Sequence, residues 1–209
     1  ARADFGNIKR IHTSTAWTLE KGEFTVGVLG PIQYGLFDEL TVVTHPVLYL
    51  LLTPNVGLRW KLFDRSVALS MGLSYIQTFL DPARSLQFPG TLSAFPTLSV
   101  PIGSRVALSF QGGYLLDVFP IAHGILFGGN AAWLVTTSDL VQVQAQSDWY
   151  DDGRGAAFPT FIVSYVHAFY RVRVSVGVAV GRFPIQVGAS TTKIKNLPVY
   201  PVVDVWWQL

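Results

Sequence analysis

Cysteine is absent from the 209-residue chain, which removes disulfides, thiolate metal sites and cysteine nucleophiles from its chemistry. Charge is also scarce: 13% of residues are Asp, Glu, Lys or Arg, where about 25% is typical of soluble domains. Half the residues are hydrophobic (50%), and a soluble domain with so few charges would struggle to cover its surface. Long apolar runs are missing too. The densest, "PVLYLLLTP" at 46–54, is bracketed by Pro46 and Pro54 and falls far short of the ~18–20 residues of a membrane helix. A net charge of +2 without a Lys/Arg cluster argues against nucleic acid as a partner. The glycines of "GRFPIQVG" (181–188) precede no helix, so a phosphate-cradling loop is excluded. His12, His45, His123 and His167 are scattered, and neither a metal nor a cofactor is expected.

What the chain does have is alternation. "RVRVSVGVAVG" (171–181) places Val at every even position from Val172 to Val180, against Arg171, Arg173, Ser175, Gly177, Ala179 and Gly181. Strand side chains point to alternate faces, so one face is aliphatic and the other basic or tiny. The same dyad recurs in "VGLRWKL" (56–62), "VALSMGLSY" (67–75) and "LVQVQAQSD" (140–148). A hydrophobic chain with no spanning helix leaves a closed β-barrel as its membrane solution, because lipid cannot satisfy open backbone groups.

Strands are predicted near 11–19, 23–36, 40–52, 56–63, 67–80, 91–102, 106–118, 125–136, 140–150, 159–169, 172–183 and 198–209, twelve in all. Tight turns ("FDE", "DRS", "GSR", "TSD", "YR") alternate with mostly longer connections at 81–90, 151–158 and 184–196. The expected fold class is therefore all-β: a closed antiparallel transmembrane barrel with both termini periplasmic. Residues 1–10 are assigned to a periplasmic segment or small plug, and 11–209 to a single barrel domain. The start "ARADFG" is read as a mature form after signal-peptide removal. Pro31, Pro46, Pro96 and Pro201 fall inside predicted strands, where each removes a ladder donor.

Two stretches carry a family likeness. "TLEKGEFTVGVLGPIQYGLFDEL" (18–40) resembles the start of many bacterial outer-membrane barrels, with Gly-Glu, an alternating strand, Tyr-Gly-Leu and an Asp-containing turn. "VYPVVDVWWQL" (199–209) resembles the C-terminal signal read by barrel-assembly machinery, with Val203, Val205, Trp207 and Leu209 spaced by twos. The resemblance is porin-like and specific to no subfamily. It implies residence in the outer membrane of a Gram-negative envelope, with outer-membrane lipids, the assembly machinery and other envelope proteins as partners.

Aromatics suit this placement. Trp133, Phe169, Tyr170, Trp206 and Trp207 fall near the tight-turn ends of strands, and Phe79, Phe119, Trp149 and Phe161 near the opposite ends. Two girdles at the lipid–water boundaries would use them.

Arg59, Lys61, Arg171 and Arg173 are predicted on the lumen face of the tight-turn half, with Gln142, Gln144 and Gln146 at the same depth and Asp204 on the closing strand. A basic ring would favour anions in a narrow passage. The alternative is a structural network pairing these cations with Asp204, Asp148 and Glu39. "VVTHPVLYLLL" (42–52) and "ILFGGNAAWLV" (125–135) are apolar on both faces, which implies a greasy part of the lumen or a docking surface. Three functions follow: a narrow passive channel for small anionic solutes, a structural or assembly subunit of an envelope complex, and a lipid-modifying enzyme at His12 and Ser14. The last lacks a supporting Asn or acid next to "HTS", so no catalytic residue is assigned.

Overall fold

In the computed structural model the described residues are 5–50, 53–77, 90–118, 121–153, 160–181, 184–187, 190–193 and 199–209. The ring is built from β1 (Phe24–Gly27), β2 (Ile32–Phe37), β3 (Leu40–Thr44), β4 (Asn55–Asp64), β5 (Ala68–Gln77) and β6 (Gly90–Ile102). It continues with β7 (Val106–Val118), β8 (Ile121–Leu134), β9 (Asp139–Tyr150), β10 (Thr160–Phe169), β11 (Val172–Val180) and β14 (Tyr200–Gln208). Neighbours in sequence pair antiparallel, except that β14 stands between β11 and β1 and closes the barrel. A separate hairpin of β12 (Pro184–Val187) and β13 (Ser190–Lys193) lies between β11 and β14 in sequence. A short helix, α1 (Pro46–Leu50), follows β3.

Twelve strands form the wall, as the turn pattern predicts, but two of them are not the expected ones. Residues 11–19 form no strand. They run inside the barrel after a 3₁₀ turn at Ile8–Arg10. The strand expected at 23–36 is instead two, β1 and β2, because the chain reverses between Gly27 and Ile32. Asp204 accepts the backbone N–H of Leu29 and of Gly30, both at 3.1 Å, and so satisfies two donors of the reversal. A Cβ at Gly30 would lie 2.3 Å from Asp204 Oδ2, so only glycine lets the carboxylate approach. The strand expected at 40–52 stops at Thr44, and Pro46 opens α1, where a missing N–H costs nothing.

The remaining prolines are now explained. Pro31 lies in the β1–β2 reversal. Pro201 pairs with Val178 of β11, while β1 meets β14 only from Trp206 onward, so no ladder partner asks for its N–H. Pro96 lies where the β6–β7 register is interrupted, between Ala94↔Tyr114 and Thr97↔Gln111.

All the tight turns lie at one end, here termed the short-turn rim. They link β2 to β3, β4 to β5, β6 to β7, β8 to β9 and β10 to β11. Of the expected longer connections, 81–89, 154–158, 188–189 and 194–196 lie outside the described residues, and 184–187 with 190–193 form the β12–β13 hairpin.

Candidate functional site

Period-two alternation decides which side chains enter the lumen. On β4 the outward Val56, Leu58, Trp60 and Leu62 are exposed, so Arg59 and Lys61 point inward. On β11 the outward set includes Val176, Val178 and Val180, and Arg173, Ser175 and Ala179 are buried inside. Gln142 and Gln144 face the lumen opposite Ser164 and Ile162. Gln146, beside Gly128 and Thr160, faces the same interior and is exposed there.

The half of the lumen nearest the short-turn rim is filled by residues 5–19. Phe5, Ile8, Ile11, Ala16 and Trp17 pack on Ala68, Ala107, Ala132, Leu134, Leu140, Val166 and Ala168 of the wall. Alanine at these inward positions leaves the space that the segment occupies. Polar wall groups hold its backbone. Ser99 Oγ accepts from the Ala16 N–H at 2.8 Å, Thr41 Oγ1 from the Leu19 N–H at 2.9 Å, and Asn130 Nδ2 donates to the Ser14 carbonyl at 3.4 Å. The apolar inward face of "ILFGGNAAWLV" is thus the seat of this plug, and the apolar stretch at 46–50 is helix α1.

The basic residues divide. Arg59 Nη1 donates to the His12 carbonyl of the plug. Arg173 is 7% exposed, with its guanidinium 5.1 Å from the centroid of the Phe5 ring, a cation–π contact. Lys61 lies beside the plug without an ion pair among the described residues. Arg171 sits in the β10–β11 turn at the rim, stacked 5.6 Å from the ring centroid of Tyr170, and so does not join the inner group. The expected pairing with Asp204, Asp148 and Glu39 is absent for Arg59 and Lys61 among the described residues; Asp204 instead caps the β1–β2 reversal.

His12 has two ring nitrogens shut off from solvent and without a hydrogen bond of good geometry. Burial, reinforced by Arg59, lowers its pKa to about 3; the Trp17 backbone opposes this, and Arg173 and Arg10 add to the lowering. Its charged neighbours are all cationic, so nothing orients the ring as a catalytic base for Ser14.

Sequence reasoning missed Phe5, Arg10 and Trp17. Their stretch shows no periodicity of its own; the usable signal was the row of inward alanines beside the tight turns. It also missed an outward polar cluster at the short-turn rim, where the Asp139 carboxylate meets His167 Nδ1 at 2.6 Å and the Tyr165 and Thr136 hydroxyls.

The outer surface is apolar between two aromatic belts. Trp133 (53% exposed), Phe169 and Tyr170 stand outward near the short-turn rim, with Trp207 beside them. Trp149 and Phe161 stand outward toward the other end. Trp206, expected in the girdle, faces inward across from Arg173 and packs against the plug cluster. Phe79 and Phe119 lie outside the described residues. A closed ring that satisfies its own backbone and turns Val, Leu and Phe outward is built for lipid. The chain is a transmembrane β-barrel of the bacterial outer-membrane type.

No family model matches this barrel, and no curated protein does. Among solved structures it is similar to two of OmpT, an outer membrane protein of Vibrio cholerae folded in vitro, one of them the trimer form. The first superposes over 88% of this chain and 64% of its own, with 8% identity and a TM-score of 0.49. The second covers the same shares, with 10% identity and a TM-score of 0.49. The barrel therefore spans less than two thirds of the length of either.

Proposed function

We propose that this barrel is a narrow channel for small anionic solutes, closed by residues 5–19, with its short-turn rim in the periplasm. The observation that carries this reading is the state of Arg59. It lies on the lumen face, holds a plug carbonyl and has no carboxylate partner among the described residues. A cation without a counter-charge in a low-dielectric passage attracts anions. Lys61 on β4 and Arg173 on β11 flank the plug from separate parts of the wall, Arg171 stands at the mouth, and Gln142, Gln144 and Gln146 on β9 offer neutral hydrogen bonds. Lipid is the partner of the outward face. Assembly machinery would read β14, whose Val203, Val205 and Trp207 point outward.

The test is conductance in a planar bilayer under a salt gradient. The full chain is expected to be silent. Removal of residues 1–19 is expected to give discrete steps with an anion-leaning reversal potential, which Arg59→Gln in the same background moves toward zero. A deletion variant that folds by heat-modifiable gel shift yet stays silent would move the assignment to a structural subunit of an envelope complex. An unchanged reversal potential in Arg59→Gln would remove the anion preference.

A further inference from the structure

We propose that the outward cluster around Asp139 is a binding site for the ammonium head group of a phospholipid. The β9–β10 ladder sets Asp139 directly across from His167 at its short-turn end. Period two puts Tyr165, His167 and Phe169 on one face of β10, the face turned to lipid. Asp139 accepts from the Thr136 hydroxyl on Oδ2, and from the Tyr165 hydroxyl and the His167 Nδ1–H on Oδ1, the last at 2.6 Å. A carboxylate only accepts, so the imidazole spends its Nδ1 proton here and keeps Nε2 for the outside. The Phe169 ring meets the imidazole edge to face at 4.2 Å, which holds its plane. The side chains of Asp139 and His167 both stay partly open.

What these side chains show the membrane is electron-rich. Thr136, Tyr165 and His167 give their donors to Asp139, and the backbone N–H groups of Ser138 and Asp139 go to Thr136 Oγ1, both at 3.1 Å. Lone pairs remain on the Tyr165 oxygen, on the carboxylate and on Nε2 of the neutral imidazole, beside the ring faces of Tyr165 and Phe169. That combination attracts a cation and disfavours a phosphate. The hydroxyls spread the charge of Asp139 without cancelling it, and no Lys or Arg pairs with it among the described residues. Arg171, in the adjoining turn, stacks on Tyr170 instead. A metal ion fits less well, because no three His, Asp or Glu side chains converge among the described residues. The surroundings favour a lipid over a soluble amine. Val135 stands beside Asp139 and Val174 beside His167 on the outward face, and Trp133 belongs to the same belt. An ammonium carried on acyl chains is delivered to that surface, at the depth of an aromatic girdle.

This site rests on the transmembrane placement of the barrel and not on conduction. Native mass spectrometry reads the bound lipid directly. The full chain would be released from detergent micelles holding phosphatidylethanolamine, phosphatidylcholine and phosphatidylglycerol of one acyl composition in equal amounts. The ethanolamine lipid is expected to stay bound at least about fivefold more than the glycerol lipid, and the ratio to fall to about one in Asp139→Asn. His167→Phe, which keeps a ring and removes its lone pair, should lower the ratio in the same direction. Both variants are first checked for the heat-modifiable gel shift, and either one alone carries the test. Choline lipid retained as well as ethanolamine lipid, with both lost in Asp139→Asn, would support the site and make the ring faces its main contact. Equal retention of all three lipids, preference for the glycerol lipid, or a preference that the folded variants leave untouched would overturn the proposal. A barrel that conducts anions yet shows no ethanolamine preference would remove this site and leave the channel standing.

Discussion

Asp204 accepts two backbone donors of the β1–β2 reversal that no ladder reaches. Asp204→Ala orphans both, and hydrogen bonds to a charged group contribute about 1.5–3 kcal/mol. The expected result is a lower urea midpoint for unfolding in detergent, with lumen properties unchanged; an unaltered midpoint would rule out the capping role. His12 makes a second prediction at this scale. Its pKa is about 3 in the docked plug, whereas an exposed histidine titrates near 6.5. Above pH ~6.5 neither state is protonated, so docking is fully favoured. As pH falls from there toward 3, the released plug takes up a proton that the docked one refuses, beside Arg59, Arg173 and Arg10. Release should therefore rise by up to about tenfold per pH unit, read as conductance that appears on acidification and loses its pH dependence in His12→Gln. The inward position of Arg59 and Lys61 could be read from the dyad alone. That they lack acids, and that Asp204 serves the backbone, could not, because pairing depends on which strands become neighbours.

At the scale of elements, β11 shows how far a dyad carries. Its valines point outward and Arg173, Ser175 and Ala179 inward, as the alternation dictates. Val176, 47% exposed, lies mid-strand between Tyr165 and Val203. Val176→Lys should destabilise the barrel by about 2–4 kcal/mol, the cost of a cation at the lipid midplane. Reversible unfolding in lipid vesicles would check it, with Ser175→Lys, on the lumen face, as the comparison. The plug is the opposite case. Residues 5–19 take their shape from the wall they fill, so their apolar residues follow no period of 2 or 3.6, and the strand that the sequence predicts over 11–19 is part of this filling. The first hairpin was hidden for another reason. β1 has four residues, too few for alternation to register, and Gly30-Pro31 marks a reversal only once Asp204 is seen to hold it.

For the whole molecule, the strand number could be read because every tight turn is short and polar while several of the long wall strands alternate. The total survived because two misreadings cancelled: one strand too many at 11–19 and one too few at 23–36. The wall that results is uneven, from β1–β3 of four to six residues to β6–β9 of twelve to fourteen. Its closing ladder has three register pairs, from Thr25↔Gln208 to Gly27↔Trp206, flanked by bonds at Leu209 and Val205, and the β1–β2 ladder beside it has three as well. By contrast, β7 and β8 pair at every residue from Val106 to Val118. A ring joined so briefly at one place has a time order built into it. During insertion the long strands can form a curled, nearly complete sheet whose two margins meet last, and the same margins part first when the barrel loosens. Amide exchange should register this as early loss of protection at Val26 and Trp207, long before Phe110 or Phe127. Uniform protection around the circumference would mean that closure and wall formation are a single event.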